Sequence, residues 1–414
     1  MKKFIKFFLS IIVILNCVSG CGNDVEDANF ELEGDVDSQV EVENSDETNG
    51  GADSDINVSE YVFDIEGQLD GNAIIRPNCM LLLKSDGTVV GKGDSSFGEL
   101  GNGERTGCNS WTTVSDLNGV KKIYATIGVG TSNSEIDRKY DFCYALSKDG
   151  NLYRWGGNIL KPESFLHDVE NFICCGMDSD TFLVEYSDGH KDMIISSTIS
   201  TSIIDITKII KNCKILYADA YHLVIKEIDS GMTYHVDLEI DSDKEVAIDE
   251  KHSIYRSECK EIARCKLGAH INKVGGVCYD RIYVISEKGA VRSFVIKNGS
   301  ISSKEGWSGR GYKYYDEYDY RNHSVFSLLG GQVETRGENE YGQLGDGTTI
   351  DYWDGWISVD EFECVELQTG EGDGGIYCVA LDVNHNIWCW GGGFDSTPKI
   401  EIAIESNDGD MIGN

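Results

Sequence analysis

Few residues in this chain are spaced for chemistry. The string "GWSGRG" (306–311) comes nearest to a nucleophile elbow, but its second glycine falls one place early and no helix pattern follows it. The eight histidines are dispersed, and none has the spacing of an HExxH metal site. Asp382-x-Asn384-x-Asn386 supplies half of a calcium loop without its glycine or its distal glutamate. Asp and Asn are also the residues a hairpin bend needs at that place. Cys174-Cys175 and the Cys259/Cys265 pair lack the CxxC spacing of a zinc or redox centre. With 71 acidic residues, some carboxylates pair in any fold, so a glycosidase-like couple has no distinguishing mark. Residue spacing therefore predicts no catalytic group, no metal and no cofactor, and His222 and His323 read as satisfied structural residues.

One further stretch has the look of a ligand loop. "RGENEYGQLGDGTT" (336–349) packs Gly337, Gly342, Gly345 and Gly347 around Leu344. A phosphate cradle would need a following helix to present its N-terminal amides, and no helix signal follows. The expected role is a set of backbone turns between neighbouring elements, with Leu344 as an apolar plug.

The elements that would carry these residues divide by composition. Lys2, Lys3 and Lys6 precede an apolar run from Phe7 to Leu15, and Val18-Ser19-Gly20-Cys21 follows. That order is an export signal, too short to cross a bilayer comfortably. Its last four residues resemble the lipobox of bacterial lipoproteins, which implies cleavage after residue 20 and diacylglycerol on Cys21. Two acyl chains suffice for stable anchoring. Removing residues 1–20 takes three lysines and moves the net charge from −35 to −38. Residues 24–60 hold fourteen Asp/Glu and no Lys or Arg. Such a segment cannot bury enough apolar surface to fold, so residues 21–60 read as a lipidated, acidic stalk. The same charge excludes nucleic acid as a general partner. Most of the twelve remaining cysteines read as small packing residues, with disulfide pairing left open.

From residue 61 onward, short apolar strands alternate with turn residues. "CMLLLKSDGTVVGKG" (79–93), "FCYALSKDGNLYRWG" (142–156) and "CVALDVNHNIWCWG" (378–391) align with one another. Weaker copies begin at 181, 220, 281 and 323. Each is a strand, a tight turn and a strand. The turns, at Gly87, Gly150, Gly189, Gly231, Gly289, Gly331 and His385, recur at a mean of about 50 residues, the size of a propeller blade. The expectation is an all-β, seven-bladed β-propeller over 61–414, with a strand at Tyr61–Ile65 closing the ring against Ile400–Ile404.

The glycine loop has a sister. "GKGDSSFGELGNGER" (91–105) matches "TRGENEYGQLGDGTT" at Gly98, Leu100 and Gly101 against Gly342, Leu344 and Gly345. Together with Trp155-Gly156 and Trp390-Gly391, these strings resemble the repeat of the regulator of chromosome condensation family. The resemblance implies a propeller built from strand, turn, strand, Trp-Gly and a Gly-Gln-Leu-Gly-x-Gly loop. Two departures stand out. Lys92 and Arg336 occupy the tryptophan position in the two units with good loops, and the third to fifth units have no such loop. The family's nuclear exchange role does not suit an exported chain of this charge. Related bacterial propellers outside the cell clamp a target protein with one face.

Binding is the role with positive support. Tyr312, Tyr314, Tyr315, Tyr318 and Tyr320 crowd "GYKYYDEYDY", and Tyr352, Trp353 and Trp356 lie in "DYWDGW". Exposed Tyr and Trp anchor protein and sugar interfaces. Alternation of Tyr312, Tyr314, Tyr318 and Tyr320 equally fits one buried strand face. The expected protein is a monomeric propeller, lipid-anchored at a bacterial membrane outside the cytoplasm, that engages a protein or wall glycan through face loops. The alternatives are a polysaccharide hydrolase or lyase with its site at the propeller axis, and a structural surface protein without a discrete ligand.

Overall fold

The computed structural model describes residues 69, 71–126, 142–174, 181–196, 200–219, 221–249, 253–278, 281–286, 291–297, 299–307, 314–319, 325–329, 331–372, 374–403 and 412–413. Cys21, the 21–60 stalk, the strand expected over 61–65, His323 and the tyrosines Tyr312 and Tyr320 lie outside them.

Every described element is a strand. The first sheet orders β1 (Ala73–Arg76), β2 (Cys79–Leu83), β3 (Val89–Gly93) and β4 (Cys108–Thr113) as they occur in the chain. The second does the same with β5 (Val120–Ala125), β6 (Phe142–Ser147), β7 (Leu152–Gly156) and β8 (Ile159–Leu166). Next comes an eight-stranded sheet. It holds the antiparallel strands β9 (Val169–Cys174), β10 (Thr181–Tyr186), β11 (Lys191–Ser196) and β12 (Thr201–Asp205). A second meander of β13 (Cys213–Ala218), β14 (His222–Glu227), β15 (Met232–Asp249) and β16 (Ile254–Ala269) completes it. Three sheets follow: β17 (Ile271–Cys278), β18 (Arg281–Ser286), β19 (Val291–Lys297) and β20 (Ser300–Trp307); then β21 (Tyr314–Asp319), β22 (Val325–Leu329), β23 (Gln332–Gly337) and β24 (Tyr352–Val359). The last has β25 (Cys364–Gly372), β26 (Gly375–Asp382), β27 (Ile387–Gly391), β28 (Lys399–Ala403) and β29 (Ile412–Gly413).

All seven hairpins expected from the repeat are the central strand pairs of these meanders. Their turns show why the pattern repeats. Gly87, Gly150, Gly189 and His385 all have positive φ, the conformation a tight bend demands. Asp86 and Asp382 hold the bends from within, accepting the amides of Thr88 and Asn386.

Successive meanders pack face to face. Leu81 and Val89 of the first sheet share a core with Cys143, Ala145 and Trp155 of the second. Tyr144 and Leu146 meet Phe182 and Ile194 in the next interface. Leu183 and Ile204 then meet Leu223 and Val236, and Val224 meets Ile282 and Phe294. Val333 and Val359 pack with Cys378 and Trp390. The circuit closes where Met80 and Leu82 of the first sheet pack with Val379, Leu381 and Cys389 of the last. First strands also lie against first strands, β1 on β5 and β17 on β21. This closed sequence of antiparallel meanders is a β-propeller, all-β as the pattern required.

Two features depart from a simple repeat. β15 and β16 form a hairpin far longer than its neighbours, and β16 runs parallel to β12, pairing Thr201 with Ile254 through Ile204 with Ser257. The third and fourth meanders are thereby fused into one sheet. In the last sheet, β28 pairs with a fifth strand, β29, joining Ile402 to Gly413 and Ala403 to Ile412.

Candidate functional site

The two glycine loops occupy equivalent places, and each reaches out of its own sheet. Residues 94–107 leave β3 and cover Trp155 on β7 of the next sheet, which is fully buried. Trp155 Nε1 donates to Glu99 O at 2.7 Å, and the Cys143 thiol donates to the same oxygen at 3.8 Å. The loop at 338–351 repeats this on the last sheet. Trp390 Nε1 donates to Gln343 O at 3.0 Å, and the Cys378 thiol follows at 3.7 Å. Leu100 and Leu344 are both completely buried plugs. The amide of Leu344 is tied to Asn339 Oδ1 at 2.9 Å, and that of Leu100 to Ser95 Oγ at 3.4 Å.

Gly101 and Gly345 are required at their places. Both have positive φ, and a Cβ would stand 2.8 Å from Trp155 Cδ1 or 3.0 Å from Trp390 Nε1. Gly98 and Gly342 make the preceding turn, each amide donating to the carbonyl three residues earlier, Ser95 or Asn339. Gly156 and Gly391, after the tryptophans, also have positive φ.

This geometry explains the tryptophans that the repeat seemed to lack. A tryptophan is buried where the preceding sheet sends a loop onto it. The segments that would send a plug onto Lys92 and Arg336, residues 392–398 and 298–299, contain no Gly-x-Leu-Gly string. Each of these two cations instead sits over an outer-strand tryptophan, Lys92 Nζ 5.4 Å from the Trp111 ring and Arg336 Cζ 4.4 Å from the Trp356 ring.

The aromatic candidates separate. Tyr314, Tyr315 and Tyr318 lie on β21, the first strand of its sheet. Tyr352 and Trp353 lie on the outer strand β24, 40% and 53% exposed, while Trp356 is half-buried under Arg336. Tyr341 and Ile350 in the adjoining loop are also exposed.

Two clusters of titratable side chains escaped the sequence reading. In the first, His190, the fully buried Asp192 and Asp205 meet near the β10–β11 hairpin. Asp192 accepts from Tyr186 Oη at 3.0 Å, His190 Nε2 at 2.8 Å and Arg256 Nη2 at 3.2 Å. A guanidinium already compensates that carboxylate.

The second cluster joins His222, His235 and Asp237, with Asp219 behind them. His222 opens β14 and pairs with Asp237 across the hairpin, and Val224 pairs with His235. Alternation along the strands puts His222, His235 and Asp237 on the face that Val224 turns toward the next sheet. Asp219 Oδ1 accepts His222 Nδ1 at 3.1 Å as well as the amides of Tyr221 and His222. Its other oxygen accepts Tyr217 Oη at 3.2 Å. This hydrogen bond to Asp219 raises the His222 pKa above the ordinary range. Burial pushes His235 the other way, down to about 4, so its ring is neutral at neutral pH. A retrospective signal existed: His235-x-Asp237 lies on one strand face, and hairpin symmetry about residues 229–230 brings His222 opposite.

A cavity of about 400 Å³ also lies between the third and fourth meanders, walled in part by Ile173, Leu183, Lys191, Lys211 and Cys213. Lys191 pairs with Glu185 at its rim. At the calcium-like triplet, Asp382 is committed to the turn. It accepts Asn384 N, Asn386 N, Asn386 Nδ2 and Trp388 Nε1. Nine described cysteines carry free thiols, with Cys79, Cys143, Cys378 and Cys389 among those buried in the inter-sheet cores.

No protein-family model matches the sequence, and no curated protein matches it. Solved structures do. Prp20p from Saccharomyces cerevisiae is 10% identical over 80% of this chain and 87% of its own, with a TM-score of 0.46. Yeast RCC1 (Prp20) in complex with Kap60 is 9% identical over 91% of each chain, at 0.47. Hsv2 of Kluyveromyces lactis is 9% identical over 83% of this chain and 97% of its own, at 0.38.

Proposed function

We propose that this protein is a binding scaffold: a propeller ring of seven blades, lipid-anchored through Cys21 outside the cytoplasm, that holds a protein or glycan partner. The observation that carries this reading is the surface around the 338–351 loop and β24. There Tyr341, Ile350, Tyr352 and Trp353 expose 41%, 71%, 40% and 53% of their surfaces within thirteen residues of chain. Rigid aromatic side chains on a strand and its adjoining loop suit an interface, because they bring large contact area with little conformational entropy to lose. The loop is itself held by its plug and by Trp390, so the surface is preorganised.

The partners named with the yeast propeller, Gsp1p, histones and Kap60, belong to that protein. A chain of net charge −35 is a poor candidate for nucleic acid. The Val18-Ser19-Gly20-Cys21 string and the acidic run over 24–60 support display at a membrane surface.

Two experiments test this reading. The full chain, displayed on its own cells and crosslinked, should capture a surface protein or glycan that a Tyr352→Ala/Trp353→Ala variant captures at least ~10-fold less well, the usual scale for an aromatic anchor. Equal capture by both chains sinks the role of this surface. Cys21→Ser should abolish partition into detergent, and continued partition would remove the lipid anchor.

A further inference from the structure

We propose that His222, His235 and Asp237 form a site for a divalent first-row transition metal such as zinc, with Asp219 orienting one of the ligands. The site is independent of the binding surface on β24. One ligand atom from each of the three residues lies within 4.8 Å of the other two. His235 Nδ1 is 3.4 Å from Asp237 Oδ1, and His222 Nε2 is 3.9 Å from the same oxygen. Two donors about 2.1 Å from a tetrahedral zinc stand about 3.4 Å apart, which the His235–Asp237 pair already matches.

Three further observations point to a cation. First, His235 is only 3% exposed, and its Nδ1 has no hydrogen-bond partner although it is aimed at Asp237. An orphaned buried ring nitrogen is costly, and a metal would satisfy it. Second, Asp219 fixes the tautomer of His222. A carboxylate only accepts, so Nδ1 carries the proton and Nε2 presents its lone pair toward Asp237. A carboxylate behind a histidine ligand is the usual support of such sites. Third, no lysine or arginine pairs with Asp219 or Asp237 among the described residues, in contrast to Asp192 with its Arg256.

Two imidazoles and one carboxylate suit zinc and its neighbours better than calcium or magnesium, which prefer all-oxygen shells. His222 is one-third exposed, which leaves a route from solvent and room for a fourth ligand, water or a group from a partner.

The test is a titration of the chelator-treated full-length chain with Zn²⁺ and with Co²⁺, reading bound metal by equilibrium dialysis and the cobalt spectrum. The wild type should bind one more equivalent than the His222→Ala/Asp237→Asn variant. Cobalt at that site should show ligand-field bands without thiolate charge transfer. Asp219→Asn keeps all three ligands and should weaken binding about 10–100-fold while far-UV circular dichroism is unchanged. It keeps the test decisive if the double variant fails to fold. Equal stoichiometry in the wild type and the folded double variant overturns the site. So does cobalt binding only through thiolate, or an affinity that Asp219→Asn leaves unmoved.

Discussion

Two parts of the ring solve the same problem differently. Each sheet must be locked to its neighbour, because a lone four-stranded meander leaves both faces wet. Between the first and second sheets, and again between the sheet of β21–β24 and the last, a glycine loop crosses the gap. It buries a leucine and closes on a tryptophan. Between the third and fourth meanders no such loop occurs among the described residues. The β15–β16 hairpin instead extends until β16 becomes the neighbour of β12, and Arg256 from that hairpin reaches the buried Asp192. One device is a short plug that needs glycine at defined positions. The other is backbone pairing, which tolerates almost any side chain. The difference shows why repeat signatures fade in the middle of the chain while the architecture does not.

The comparison breaks most readily at the tryptophans. Trp390→Ala or Trp155→Ala empties a filled core and removes the donor to the loop carbonyl. Each should cost about 3–5 kcal/mol in denaturant unfolding. A loss below 1 kcal/mol would mean the loops do not couple the sheets. Gly345→Ala should follow at about 1–3 kcal/mol, from a left-handed backbone and a crowded indole. On the other side of the comparison, Arg256→Ala leaves Asp192 with Tyr186 and His190. Arg256 is itself 44% exposed, so the expected loss is about 1–2 kcal/mol. A loss as large as that of Trp390→Ala would show that the fused sheet depends on this pair rather than on backbone pairing. Arg336→Ala should cost about 0.5–1 kcal/mol, from the loss of its contact with the Trp356 ring.

The smallest effect concerns thiol chemistry. Burial pushes the Cys378 and Cys389 thiols well above their ordinary pKa, whereas the Ser110 hydroxyl beside Cys108 lowers that of Cys108. At neutral pH, iodoacetamide followed by peptide mapping should label Cys108 before either buried thiol. Cys378 and Cys389 should react only as the chain unfolds. Early labelling of Cys378 would place the last interface among the looser parts of the ring.

Much of the fold was legible because a hairpin is a local object. Alternating apolar residues around Asp-Gly or Asn-His-Asn bends define both strands and their register, and each expected pair is present, from Leu81 against Gly91 to Cys378 against Trp390. The Gly-Leu-Gly plugs were equally readable, since Leu100 and Leu344 are apolar residues isolated among turn formers. What misled was the assumption that loop and tryptophan belong to one unit. They belong to successive ones, so Lys92 and Arg336 looked like losses when they were consistent with a missing incoming loop. The His222, His235 and Asp237 cluster was legible only through the hairpin's register, for a related reason. Its members are ordinary residues in one dimension and meet only across a strand register. By sequence alone, His222 reads as a satisfied structural residue.

Strand pairing within each unit, the turn glycines and the acidic, apolar-poor character of residues 24–60 are determined by the sequence itself, because each depends on residues within a few positions of one another. Tertiary structure alone decided which sheet each loop closes on, that β16 fuses two meanders, and that two imidazoles and a carboxylate converge beside an orphaned ring nitrogen. Those outcomes depend on which surfaces the closed ring brings face to face. Local periodicity carries no information about that, since the same alternating strand pairs equally well with any neighbour that offers it an apolar face.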